Sequence, residues 1–329
     1  MRRRDFISLF SIATIAGVLA GAPISAAQSI GKVWRIGYLS GRHGPSDESQ
    51  SLVDGLRELG YVEGRNLIME YRFAEGKNER LRQLAVELVR VPVDIIITEG
   101  TPPTFAARQA TRTIPIVFGS MQDPIEKGII ARLSYPGGNV TGNALIGDHT
   151  KPLALLKEAV PTVSKVAFIY DPLTRPGAYG EAKLKEMQEH ASALNVLVRP
   201  LALRAPELTD EVFAALPADT NGLVFENSVV NLMAQARLCE LGAQRRLPTV
   251  GAFPGFSRSG CLMSYGENLP LIYRHAAIYV DKILKGADVS NLPVEQATRF
   301  ELVINLRAAK ALGLTIPEAF LVRADEVIE

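Results

Sequence analysis

The chain has 329 residues, 47% of them hydrophobic, with 36 Lys+Arg against 35 Asp+Glu and two cysteines. Such a length suggests two domains, and the composition excludes disorder. A formal charge of +1 excludes a broad electrostatic claim on nucleic acid or an anionic membrane, and two cysteines are too few for a disulfide scaffold or a structural zinc site.

Residues 1–27 read as an export signal peptide. Arg2, Arg3 and Arg4 precede an apolar run from Phe6 to about Ala20, followed by Gly21, Pro23 and the small residues Ser25, Ala26 and Ala27. A basic head, a short apolar stretch and a small-x-small end predict cleavage after about Ala27. The run is shorter than the roughly 20 residues a transmembrane helix needs. Arg3-Arg4-Asp5-Phe6-Ile7 resembles a twin-arginine signal, and an arginine-rich Sec signal is the other reading. Loss of three arginines and one aspartate takes the charge from +1 to −1. The expected location is the periplasm. An oxidising compartment permits a Cys239–Cys261 disulfide, and two buried free thiols suit the local pattern equally well.

Beyond the signal, short β-rich runs alternate with amphipathic stretches, which predicts an α/β fold with parallel sheets. A strand is expected at 35–39, then a helix carrying Leu52, Leu56 and Leu59 that ends at Gly60. A second strand follows at 67–71, and Leu81, Leu84, Ala85 and Leu88 mark the next helix. The continuous apolar run 93–98 predicts a strand buried on both faces. A short helix at 105–112, a strand at 114–118, a helix at 125–133 and, after the turn Pro136-Gly137-Gly138-Asn139, a strand near 140–146 complete this unit.

The cycle then restarts with a helix at about 151–159, a strand at 163–170 and a helix at about 178–194. Strands follow near 196–201, 222–225, 249–252 and 261–264, with helices between them. A strong helix at 269–284, a strand at 301–304 and a helical stretch at 306–312 close the chain. Two such units predict two Rossmann-like lobes joined by a multi-strand hinge. Lobe one takes 33–146 plus about 267–286, and lobe two takes 150–265 plus about 290–329. A hinge between two lobes makes a closing cleft.

Several stretches together carry a family resemblance. They are GLRELGYVEGRNLIMEYRFAEG (55–76), VDIIITEGTP (93–102), ATRTIPIVF (110–118), DPIEKGIIARLSYPGGNVTG (123–142), LMSYG (262–266), the long tail segment 279–317 and RADEVIE (323–329). The chain resembles the ABC-transporter substrate-binding proteins of the tryptophan/tyrosine type, which have the type I periplasmic binding protein fold. The resemblance implies capture of an amino acid or another small carboxylate. It also implies an ABC permease and its ATPase as partners, monomeric action and no cofactor. Glu99, where relatives often have a small residue, and Glu226-Asn227-Ser228, where they often have a Ser/Asp-type turn, depart from the pattern.

Ligands of open parallel sheets sit outside the carboxyl ends of the strands. That rule selects Ser40, Arg42, Glu99, Gly100, Thr101, Ser120, Gln122 and Asp123 in lobe one, and Tyr170, Asp171, Glu226, Asn227, Phe253 and Tyr265 in lobe two. Helix N-termini after Gly100-Thr101 and after Ser120 are expected to hold a carboxylate without a buried arginine. Glu226, Asp123 or Glu99 is expected to receive an ammonium group. Burying an aromatic ring contributes about 4–6 kcal/mol, against the roughly 8 kcal/mol of micromolar binding.

Catalytic patterns are absent from the sequence. The histidines at 43, 149, 190 and 275 have no metal-ligand spacing. Gly255-Phe256-Ser257-Arg258-Ser259-Gly260 lacks the nucleophile-elbow spacing, and Ser40-Gly41-Arg42-His43-Gly44 lacks that of a dinucleotide loop. A binding protein is therefore expected, not an enzyme. A sensor serving a membrane receptor and an exported two-lobed enzyme are the alternatives.

Overall fold

Residues 32–145, 148–175 and 177–329 are described by the structure, a computed structural model. The expected signal, 1–27, lies outside them, as does Ile146 at the end of the strand expected near 140–146.

Among these residues the strands are β1 (Trp34–Ser40), β2 (Leu67–Phe73), β3 (Ile95–Glu99), β4 (Ile116–Gln122), β5 (Val140–Leu145), β6 (Lys165–Tyr170), β7 (Leu197–Ala202), β8 (Gly222–Phe225), β9 (Thr249–Gly251), β10 (Met263–Glu267), β11 (Glu295–Gln296), β12 (Phe300–Asn305) and β13 (Glu326–Ile328). They make two sheets, β11-β5-β4-β3-β1-β2 and β13-β12-β10-β9-β8-β6-β7. The first is parallel throughout. The second is parallel but for one pair, β10 with β12.

Each sheet is covered on both faces, which is why β3 and β8 are buried along their whole length. On the first sheet, Leu52 and Leu56 from the helix Asp47–Glu58 share a core with Tyr273, Ala276 and Val280 from the helix Leu269–Leu284. Gly55 lets these two helices touch, since a Cβ there would lie 2.6 Å from the Arg274 carbonyl oxygen. The opposite face packs Leu81, Leu84, Ala85 and Leu88, the residues whose spacing predicts that helix. On the second sheet, Leu153, Leu156 and Met187 cover one face, and Phe213, Leu238 and Phe256 the other. Cys239 and Cys261 are bonded, with Cα atoms 4.8 Å apart, tying the helix Val229–Gln244 to the segment that enters β10.

Two expectations need correction. Residues 125–133 form turns rather than a helix. Asp123 (φ 44°) and Gly128 (φ 70°) adopt left-handed backbone around Pro124, and that conformation does not propagate as a right-handed helix. The tail from 290 does not lie wholly with the second sheet, because β11 pairs with β5 through Glu295–Asn143 and Gln296–Ala144. Among the described residues the chain thus passes between the sheets three times: after β5, between β10 and the helix Leu269–Leu284, and between β11 and β12. Short β11 carries no alternating apolar pattern, so the sequence gives no sign of it.

Candidate functional site

The strand tips of the two sheets meet at a seam that holds two neighbouring cavities of about 50 and 30 Å³. Gln122, Leu145 and Asn227 belong to the walls of both. Glu226 and Tyr265 line the larger cavity, whereas Glu99, Gly100, Thr101, Ser120 and Phe253 line the smaller. Ser40, Asp123, Tyr170 and Asp171 line neither.

The two glutamates do not offer free charge. Glu99, 3% exposed, accepts from Tyr38 Oη at 3.0 Å, from Ser40 Oγ at 2.7 Å and from Arg42 Nε. Arg42 also pairs with Glu48 through Nη2, 2.9 Å from Oε1. Glu226 accepts from Arg175 Nε, from the Asp171 N–H at 2.9 Å and from Thr174 Oγ1 at 3.3 Å. A carboxylate buried this deeply needs such partners, and they occupy the lone pairs expected to receive an ammonium group.

Asp123 is engaged as well. Burial alone would raise its pKa, but hydrogen bonds with His149 Nε2 (3.1 Å) and from Tyr179 Oη (2.5 Å) outweigh it and hold the carboxyl at about 2. Tyr179 belongs to the helix Gly177–Ala193 of the second lobe, so its bond to Asp123 crosses the seam. Lys127 Nζ sits 4.8 Å over the Tyr179 ring, buried without a hydrogen-bond partner among the described residues, and burial depresses its pKa to about 8.

Asp171 caps the turn that follows β6 by accepting the Leu173 N–H at 2.9 Å. Burial, reinforced by the charge of Glu226, pushes its carboxyl up to about 7. Tyr170 stacks on Phe168 at 6.0 Å and packs on the second lobe's core. Ser40 serves Glu99. Ser120 Oγ lies 3.3 Å from Tyr273 Oη.

The anion-binding helix termini also change on inspection. Ser120 lies inside β4, and no helix follows it. The helix Thr101–Ala110 does open on the smaller cavity, but Pro102 and Pro103 lack N–H groups, leaving Thr101 alone among its first three residues. Gly100 (φ 86°) brings this terminus against the second lobe, where a Cβ would lie 3.2 Å from Val229 Cγ2.

Residues that the strand-tip rule passed over complete the larger cavity. They are Arg175, Glu267, Asp148, His149 and the aromatic walls Phe168, Phe225 and Phe300, the last stacked on Tyr265 at 5.5 Å. Glu267 ends β10 two residues beyond Tyr265, and Arg175 lies five residues beyond β6. A reading extended a few residues past each strand would have reached both. Glu267 is 5% exposed, makes no ion pair among the described residues, and its pKa is raised by burial.

Residues 43–328 match the sequence model of the family described as ABC transporter substrate binding protein. The chain belongs to this family. Among curated proteins this substrate-binding protein is similar to a tyrosine-binding protein of Clostridioides difficile (strain R20291), with 23% identity over 265 residues, 80% of this chain and 76% of that one. Among solved structures it resembles a conserved domain protein from Vibrio cholerae, with 29% identity and a TM-score of 0.83, covering 90% of this chain and all of that one. An ABC domain in complex with L-Trp from Streptococcus pneumonia gives 22% identity and 0.82, with the same coverages. A ligand-free, open substrate-binding protein with adhesive properties from Clostridium difficile also gives 22% identity but 0.63, covering 90% of this chain and 99% of that one. The fold is that of the type I periplasmic binding proteins. This substrate-binding protein is drawn together at its seam, as the Tyr179–Asp123 bond and the 3.7 Å Lys183–Glu126 ion pair record. No helix among the described residues is long and apolar enough to cross a membrane.

Proposed function

We propose that this substrate-binding protein captures an aromatic α-amino acid in the interlobe cleft and presents it, unchanged, to an ABC permease and its ATPase. The observation that carries this reading is the larger cavity. Its composition pairs a few polar groups with the aromatic walls Phe168, Phe225, Tyr265 and Phe300. Gln122 and Asn227, set where the two cavities meet, are the neutral hydrogen-bonding groups that orient the guest. With Glu99, Glu226 and Asp123 already committed, Glu267 is the buried carboxylate left to receive an ammonium. The tyrosine-binding relative and the L-Trp complex support the ligand class. The N-terminal export pattern supports action in the periplasm.

Closure is the output in this reading. Contacts made only when the lobes approach favour the closed form, and a guest touching both sides adds to them. Calorimetric titration with the full set of amino acids, alongside mass spectrometry of small molecules released from denatured protein, tests it. The expected result is heat from tyrosine or tryptophan and recovery of the guest chemically unchanged. Silence across the panel, or a converted product, removes the reading.

A further inference from the structure

Arg175 is 7% exposed and lines the larger cavity. Its Nε donates to Glu226, and its guanidinium carbon lies 5.3 Å from the centre of the Phe168 ring. Among the described residues its Nη1 is buried with no hydrogen-bond partner. A guanidinium has five N–H donors in a fixed fork, and a buried donor left unsatisfied is costly. A cavity-lining arginine that keeps such a donor has room in its hydrogen bonding for an acceptor that arrives from outside.

From this we infer that Arg175 Nη1 is the receptor for the guest's carboxylate. The inference rests on the amino-acid reading above and assigns one end of that guest to one nitrogen. Two further facts fit a charged acceptor. The helix terminus of the smaller cavity has lost two of its first three N–H groups to proline, and so is poorly equipped for an anion. Lys127 adds a second buried cation whose charge couples to Glu226 and Arg175. Glu226 is then a positioning residue: it fixes Nε so that the outer edge of the fork faces the guest.

The test compares each amino acid with its own primary amide, which keeps the ring and the ammonium and removes the anionic oxygen. Native protein is titrated with L-tyrosine, L-tyrosinamide, L-tryptophan and L-tryptophanamide. The acid is expected to bind between about 10- and 100-fold more tightly than the amide. In the double variant Arg175→Met, Glu226→Gln, which leaves no stranded carboxylate, that preference should fall to within about twofold. Arg175→Lys, which keeps a cation for Glu226 but has no Nη1, should erode it at least about fivefold and guards against failure of the double variant to fold. An acid preference that survives in the folded variants, or that native protein lacks, overturns the assignment and leaves the amino-acid reading standing. Failure of native protein to bind any of the four compounds or any other amino acid removes both.

Discussion

In each lobe a glutamate at a strand tip holds an arginine supplied by the loop after the neighbouring strand. Glu99 at the end of β3 holds Arg42 beyond β1, and Glu226 just past β8 holds Arg175 beyond β6. The two arrangements differ at the far edge of the guanidinium. Neither outer nitrogen makes a hydrogen bond among the described residues, but Arg42 Nη2 lies 2.9 Å from a second carboxylate, Glu48, whereas Arg175 Nη1 is paired with none. Buried ions are tolerated when their charges and hydrogen bonds close on themselves. The first lobe's trio sets two carboxylates around one guanidinium, and is a fixture of the scaffold. The second lobe's pair does not, and the difference separates support from recognition although both arginines look alike in sequence.

The largest effect expected from this contrast is on stability. Arg42→Met would strand both Glu48 and Glu99 and should cost about 4 kcal/mol, measured by urea unfolding, against about 3 kcal/mol for Arg175→Met, which strands Glu226 alone. An Arg175 variant less stable than the Arg42 variant would break the comparison. Replacing Cys239 and Cys261 by serine opens a link across 22 residues and should cost about 3 kcal/mol, with hydrogen-exchange protection lost first around the second sheet. Loss spread evenly over both sheets would argue that the lobes unfold as one.

Asp171 sharpens the contrast by pH. Its folded carboxyl titrates at about 7, above an unfolded value of about 3.9, so the folded state holds the proton more tightly. Its contribution is complete below about pH 4 and is lost as pH rises through 7. Asparagine keeps an acceptor for the Leu173 N–H and carries no charge. Asp171→Asn should therefore gain about 2 kcal/mol over native protein at pH 8 and nothing at pH 4; equal shifts at the two pH values would refute the burial argument. Gly41, the matching position beyond β1, has nothing to titrate. The smallest effect belongs to Tyr179→Phe, which removes one hydrogen bond across the seam. It should weaken ligand affinity about fivefold and enlarge the unliganded particle in solution scattering. Unchanged affinity and scattering would show that the bond does not bias closure.

The fold is legible in the sequence wherever burial imposes a period. The helices at 151–159 and 269–284 and the strand at 222–225 stand where their apolar patterns put them. Reading failed where backbone conformation outvotes pattern. The apolar residues of 125–133 have helical spacing, but Asp123, Pro124 and Gly128 set a turn. The cleft residues are legible as a neighbourhood, because strand tips define it, and Gln122, Asn227, Glu226 and Tyr265 do line the larger cavity. Partnership is not legible. Nothing local in the sequence says that Arg42 reaches Glu99 or Arg175 reaches Glu226, across 57 and 51 residues. Without that, a buried carboxylate reads as an open acceptor.

The helix Leu269–Leu284 and β11 are made late, yet they finish the layer and the edge of the sheet that begins at residue 34. A nascent chain therefore cannot complete its earliest sheet until nine-tenths of it has been synthesised. Most of the later-encoded sheet is available sooner, so maturation runs against the order of translation. A truncation after Glu267 would leave Gly55 and the apolar side of the helix Asp47–Glu58 facing water, with no neighbour to cover them.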